Sequence, residues 1–99
     1  MKWKSSQHAE QCKALLSQAK RLRTELESAG ESVAYQSSLI TILSDMEREL
    51  SGRSFDTKKL DQAAFGIFRL VTDSLPLEKS QLGKDLLMLH DQIRGFISV

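Results

Sequence analysis

Two histidines and a single cysteine are the side chains best suited to chemistry in this sequence, and their spacing defines what they could do. His8 and Cys12 are four residues apart, so on a helix they would face each other as a nucleophile and base, or as half of a metal site. No second cysteine or nearby histidine completes a ligand set, and Cys12 falls on an apolar stripe. A core cysteine beside a surface histidine is therefore the simpler reading. His90 stands between Leu89 and Asp91, either as a pH-sensitive or active-site group or as a boundary residue partly covered by a neighbouring helix. Arg94 follows one turn later, and an Arg–His pair across a cleft is what a helical ribonuclease would require. Other catalytic patterns fail on their residues. No Glu-x-x-His pair of a di-iron bundle occurs, and Gly83-Lys84 lacks the strand and first glycine of a phosphate loop. There is also no serine elbow. The expectation is a binding protein and not an enzyme, with no metal and no cofactor.

The elements that position these residues follow from period and punctuation. Cys12, Leu15, Ala19, Leu22, Leu26 and Ala29 advance by three or four residues, which places them on one face of a helix from about 7 to 29. Gly30 follows, where a left-handed cap is expected. Ser32 is a candidate N-cap for a second helix, about 32–51, striped by Leu39, Leu43, Met46 and Leu50 and closed by Gly52. With Asp56 as the next N-cap, Phe55 and Leu60 occupy the two positions of a hydrophobic staple. That opens a third helix, about 56–74, on Leu60, Ala64, Ile67 and Val71. Gly66 inside it costs roughly 1 kcal/mol relative to alanine, and close approach of a neighbouring helix is the expected compensation. Pro76 is expected to end helix three, with Leu75-Pro76-Leu77 as a connector sealing the end of the molecule. The fourth helix, about 79–94, carries Leu82, Leu86, Leu89 and Ile93, and Gly95 is expected to stop it before an apolar tail of Phe96, Ile97 and Val99. Four amphipathic helices with short connections predict an all-α fold, an antiparallel up-down-up-down four-helix bundle, as one domain over 1–99.

Composition narrows the partners. The net charge of +1 is too balanced to advertise nucleic acid, and the fourth helix sets Lys79, Lys84 and Arg94 against Glu78, Asp85 and Asp91. Charge is nevertheless uneven along the chain. Residues 1–24 carry six basic side chains and one acidic, a net of +5, whereas 25–56 carry two basic and seven acidic, a net of −5. Pairing between the first two helices accounts for this simply; a basic face turned toward anionic lipid is the sharper alternative. One cysteine excludes an intramolecular disulfide, no segment approaches 18 apolar residues, and Met1-Lys2-Trp3-Lys4-Ser5 has no apolar stretch behind it. A cytoplasmic protein is expected. Trp3 between Lys2 and Lys4 has the composition of an interfacial anchor, so these three are the membrane-proximal candidates, contacting the inner face of the membrane.

The order of parts resembles the immunity proteins of pediocin-like (class IIa) bacteriocins, the enterocin A immunity family, over nearly the whole length. Tyr35-Gln36-Ser37-Ser38-Leu39-Ile40-Thr41-Ile42-Leu43 is similar to the family's second helix, and Ile67-Phe68-Arg69-Leu70-Val71 to a stretch common in its third. Leu75-Pro76-Leu77-Glu78-Lys79-Ser80-Gln81 resembles the link into the fourth, and Leu86-Leu87-Met88-Leu89 its leucines. The chain departs from the pattern in a shorter C-terminal tail and in Glu78, where a Ser or Thr cap is common. The resemblance implies a cytosolic bundle that protects a bacteriocin producer by recognising the membrane sugar permease of the mannose phosphotransferase system with the bacteriocin bound. It also implies that the C-terminal half decides which bacteriocin is resisted, which makes Lys84, His90, Arg94, Phe96 and Val99 the partner-binding candidates. A monomer is expected on this reading. The alternative from another class is a helical protein–protein interaction module, an adaptor, chaperone or regulatory partner. Its dimer interface would use Ile40, Ile42, Phe68 and Leu87.

Overall fold

The computed structural model describes residues 2–3 and 6–98, with side chains from 9 to 98 except at 31. Five α-helices make up most of the chain: α1 (Ser6–Ala29), α2 (Gln36–Ser51), α3 (Thr57–Thr72), α4 (Leu75–Lys79) and α5 (Gln81–Ile97). A 3₁₀ turn, Gly30–Ser32, follows α1, and two-residue strands β1 (Lys2–Trp3) and β2 (Ser54–Phe55) pair antiparallel, Lys2 opposite Phe55 and Trp3 opposite Ser54.

The apolar stripes are buried as their spacing predicts. Cys12, Leu15, Ala19, Leu22 and Leu26 from α1 meet Leu39, Leu43, Met46 and Leu50 from α2, Leu60, Ala64, Ile67 and Val71 from α3, and Leu86, Leu89 and Ile93 from α5. α1 packs on α2 and α5, and α3 packs on the same two helices, so the core lies between the four long elements. Gly66 does compensate its helical cost through close approach: a Cβ there would lie 3.0 Å from Ile42 Cδ1 across the α2–α3 contact. Charge pairing between α1 and α2 is concentrated at Arg23, whose Nε donates to Glu47 Oε2 at 2.5 Å while Nη1 reaches Glu27 Oε1 of its own helix.

Helix boundaries differ from expectation in three places, each for a local reason. α2 begins at Gln36, not Ser32. The Ser32 hydroxyl donates to Ala29 O at 2.7 Å, and Tyr35 takes a left-handed conformation (φ 59°) that precludes an earlier start. Gln36 Nε2 instead donates to Leu26 O at 2.6 Å, satisfying a carbonyl at the end of α1. Secondly, α3 ends at Thr72, before Pro76 can act on it. Pro76 lies in the first turn of α4, where a missing N–H has no intrahelical partner to lose. Ser74 caps α4 by accepting from Leu77 N, and Leu77 is buried while Leu75 is exposed. Thirdly, α5 begins at Gln81 and runs through Gly95 to Ile97, so Gly95 does not stop it. Ser80 caps it, accepting from Gly83 N at 3.0 Å.

The staple read from the sequence is present. Phe55 and Leu60 are both buried, and Asp56 caps α3 by accepting from Lys58 N at 2.9 Å. The Asp56 N–H donates in turn to Glu49 Oε1 at 2.5 Å, tying the end of α2 to the start of α3. Asp56→Ala should lower stability by about 1 kcal/mol, a melting-point loss of roughly 4–8 °C in a chain this size, read by thermal denaturation.

Candidate functional site: an aromatic face shared by α3 and α5

Two phenylalanines on α3 point away from its core stripe. Phe65 and Phe68 are spaced i, i+3, so their rings share one flank of the helix, and they are 52% and 41% exposed. Among the described residues, nearly all other phenylalanine surface is buried. α5 runs alongside and presents His90, Asp91 and Arg94 to the same flank. Together these five residues line a shallow groove.

Contacts fix the register of the two helices. The Phe68 and His90 rings lie 5.2 Å apart between centroids, tilted by 32°. Arg94 Nη1 donates to Asp61 Oδ1 at 2.6 Å, and Asp61 is one turn before Phe65. His90 Nδ1 lies 3.0 Å from Asp91 Oδ1. The Arg94–Asp61 pair is solvated on both sides and contributes at most about 1 kcal/mol, so its effect is to orient the guanidinium over the groove more than to hold the fold. The arrangement offers exposed aromatic surface, one imidazole and one guanidinium. That is the chemistry of a protein contact, since aromatics and arginine dominate the energetics of interfaces.

Of the partner-binding residues expected from the sequence, His90 and Arg94 come together here. Lys84 is exposed on α5 but does not line the groove. Phe96 is not a surface contact: it is 7% exposed and its ring lies 5.0 Å from that of Phe55, because α5 continues through Gly95 and carries Phe96 onto the core stripe. Val99 and Lys4 lie outside the described residues, and for Lys2 and Trp3 only the backbone pairing with β2 is described. Sequence reasoning missed Phe65, whose available signal was an aromatic ring off the stripe of its own helix. The dimer surface of the module reading loses members, since Ile40, Ile42 and Leu87 pack against the core and only Phe68 is well exposed. Cys12 is buried in the core, and among the described residues no group of three or more His, Cys, Asp or Glu could hold a metal ion. No helix among them is long and apolar enough to cross a membrane.

A second contact steadies the end of α3 near this face. The Tyr35 hydroxyl donates to Asp73 Oδ2, joining the α1–α2 connection to the residue after α3. The bond and the negative charge of Asp73 raise the tyrosine above its ordinary pKa of 10.0. A raised folded-state value stabilises the fold fully below pH 10 and loses that contribution as pH climbs through the folded value. Tyr35 should therefore ionise later than free tyrosine in an ultraviolet titration, and Asp73→Asn should bring the midpoint back toward 10.

Comparison against protein-family models, curated proteins and solved structures found no match to this chain in any of the three.

Proposed function

We propose that this chain is an immunity protein of the pediocin-like bacteriocin type, and that the α3–α5 face is the surface with which it recognises its target. The observation that carries the reading is the pair of exposed phenylalanines set beside His90 and Arg94. Exposed aromatic surface on a small domain marks an interaction site, and here it lies in the half of the chain to which the family resemblance assigns specificity. The helix contacts support an antiparallel up-down-up-down four-helix bundle, with α4 as an added turn between the third and fourth long helices. On this reading the chain works in the cytoplasm, and its target is the mannose-type permease with the bacteriocin engaged. Lys2, Trp3 and Lys4 contact the inner face of the membrane.

The test is a killing assay. A sensitive lactic acid bacterium expressing this chain is challenged with a panel of class IIa peptides, and protection against a subset of them is the expected result. Undiminished killing by every peptide, with the protein present at normal levels, would overturn the proposal and leave a helical interaction module as the better reading.

A further inference from the structure

The side of α3 turned away from the core carries a stripe of its own. Lys58, Gln62, Phe65, Arg69 and Thr72 advance by four, three, four and three residues, so they form one line down the helix, opposite Leu60, Ala64, Ile67 and Val71. All five are exposed, and no carboxylate interrupts them. Phe65, at 52%, is the most exposed aromatic ring among the described residues, and it stands between two cations. Lys58 and Arg69 are roughly 16 Å apart along the axis at 1.5 Å per residue.

The positive charge on this line is not neutralised within the chain. α3 holds three basic residues and one acidic, and that acid, Asp61, is taken by Arg94 of α5. Nearby acids are engaged as well: Asp73 accepts from the Tyr35 hydroxyl, and Asp91 lies against His90 Nδ1. Arg21, Arg23, Arg48 and Arg94 each pair with a carboxylate, whereas the side chains of Lys58 and Arg69 form no ion pair among the described residues. The N-terminus joins the same surface. β1 pairs with β2, whose last residue, Phe55, stands three before Lys58, so the backbone of Lys2 and Trp3 lies beside the start of α3.

We infer that the outer line of α3 rests on an anionic membrane surface, with Phe65 entering the headgroup layer and Lys58 and Arg69 paired to lipid phosphates. An exposed ring flanked by long basic side chains is the composition of an interfacial helix: the ring leaves water while the charges stay at headgroup level. The line is the crest of a single helix, with a groove on either side of it, and a crest fits a broad, flat surface. Phe68 is turned toward α5 and stacked on His90, so it stays clear of the lipid and open to a protein target. One ring and two cations make a weak, reversible contact, which the adjoining N-terminus extends.

Flotation of the full chain with lipid vesicles tests this. It should bind vesicles of phosphatidylcholine mixed equally with phosphatidylglycerol, bind phosphatidylcholine alone far less, and be released by high salt. Each basic side chain removed from the line should weaken binding about fivefold, so Lys58→Gln with Arg69→Gln should weaken it about 25-fold. Phe65→Ala should cost about fivefold. Arg48→Gln, on α2, should leave binding unchanged, and all these variants should melt near the parent because their positions are exposed. No affinity for the anionic vesicles overturns the proposal, as does equal binding to both compositions. Loss of binding in Lys2→Gln with Lys4→Gln, beside full binding in the α3 double variant, confines the contact to the N-terminus and also overturns it. So does reduced bacteriocin protection in the double variant without any vesicle binding, which assigns the line to an acidic protein. The vesicles hold neither permease nor bacteriocin, so this proposal and the immunity reading can each fail alone.

Discussion

Gly83→Ala should destabilise the protein by about 3 kcal/mol or more, the largest effect expected of any single methyl group in the chain. A Cβ at position 83 would lie 1.8 Å from Leu77 O and 2.7 Å from Leu77 C, both backbone atoms. Rotamer changes cannot relieve such a clash. Leu77 O is itself held, accepting from Ser80 N at 3.0 Å and from the Ser80 hydroxyl at 2.6 Å. The variant must either unwind the first turn of α5 or push α4 outward, and the second course draws Leu77 out of the core. Helix propensity, which favours alanine by about 1 kcal/mol, is too small to reverse the outcome. At roughly 4–8 °C per kcal/mol for this size, the melting temperature should fall by about 12 °C or more. Gly66→Ala is the control, because its nearest neighbour is the mobile end of a side chain, Ile42 Cδ1 at 3.0 Å. Equal melting temperatures for the two variants would show that α4 and α5 approach less closely than described.

The same junction shows where sequence reasoning stopped. A stripe such as Leu60, Ala64, Ile67 and Val71 is legible because burial on one side of a helix repeats every 3.6 residues, and a staple is legible because its two residues are local. α4 was illegible because proline breaks a helix interior yet suits a first turn, and only the positions of the Ser74 and Ser80 caps distinguish the two cases. The late start of α2 depends on a left-handed Tyr35, and the hydroxyl partner of that tyrosine is 38 residues away. Phe96 eludes a reading of the sequence for the opposite reason: Gly95 looks like a stop, but its backbone is not left-handed and α5 passes through it. The candidate site depends on register between two helices. His90 and Arg94 could be singled out from their own helix, but that they meet Phe68 and Asp61 is a property of how α3 and α5 pack.

On the proposed function, Phe68→Ala should raise the protein level needed for protection by about 30-fold or more, the equivalent of losing a contact worth about 2 kcal/mol at the centre of an interface. Phe68 is the best candidate for that centre. Its ring stacks on His90, so it reaches the target pre-positioned, and it lies between Phe65 and the core, where water is most easily excluded. The fold should lose far less than it does in Gly83→Ala. At 41% exposure the ring contributes modestly to the core, and the lost ring contact with His90 is worth about 1 kcal/mol. Large functional loss with small stability loss is the signature of a recognition residue, the reverse of the pattern expected for Gly83→Ala. Phe65→Ala should follow in the same direction with a smaller effect, since its ring is the more solvated of the two. Lys84→Ala should protect as well as the parent, because Lys84 is on α5 but outside the groove. Full protection by Phe68→Ala together with a loss in Lys84→Ala would move the contact to the outer side of α5 and separate it from the aromatic face.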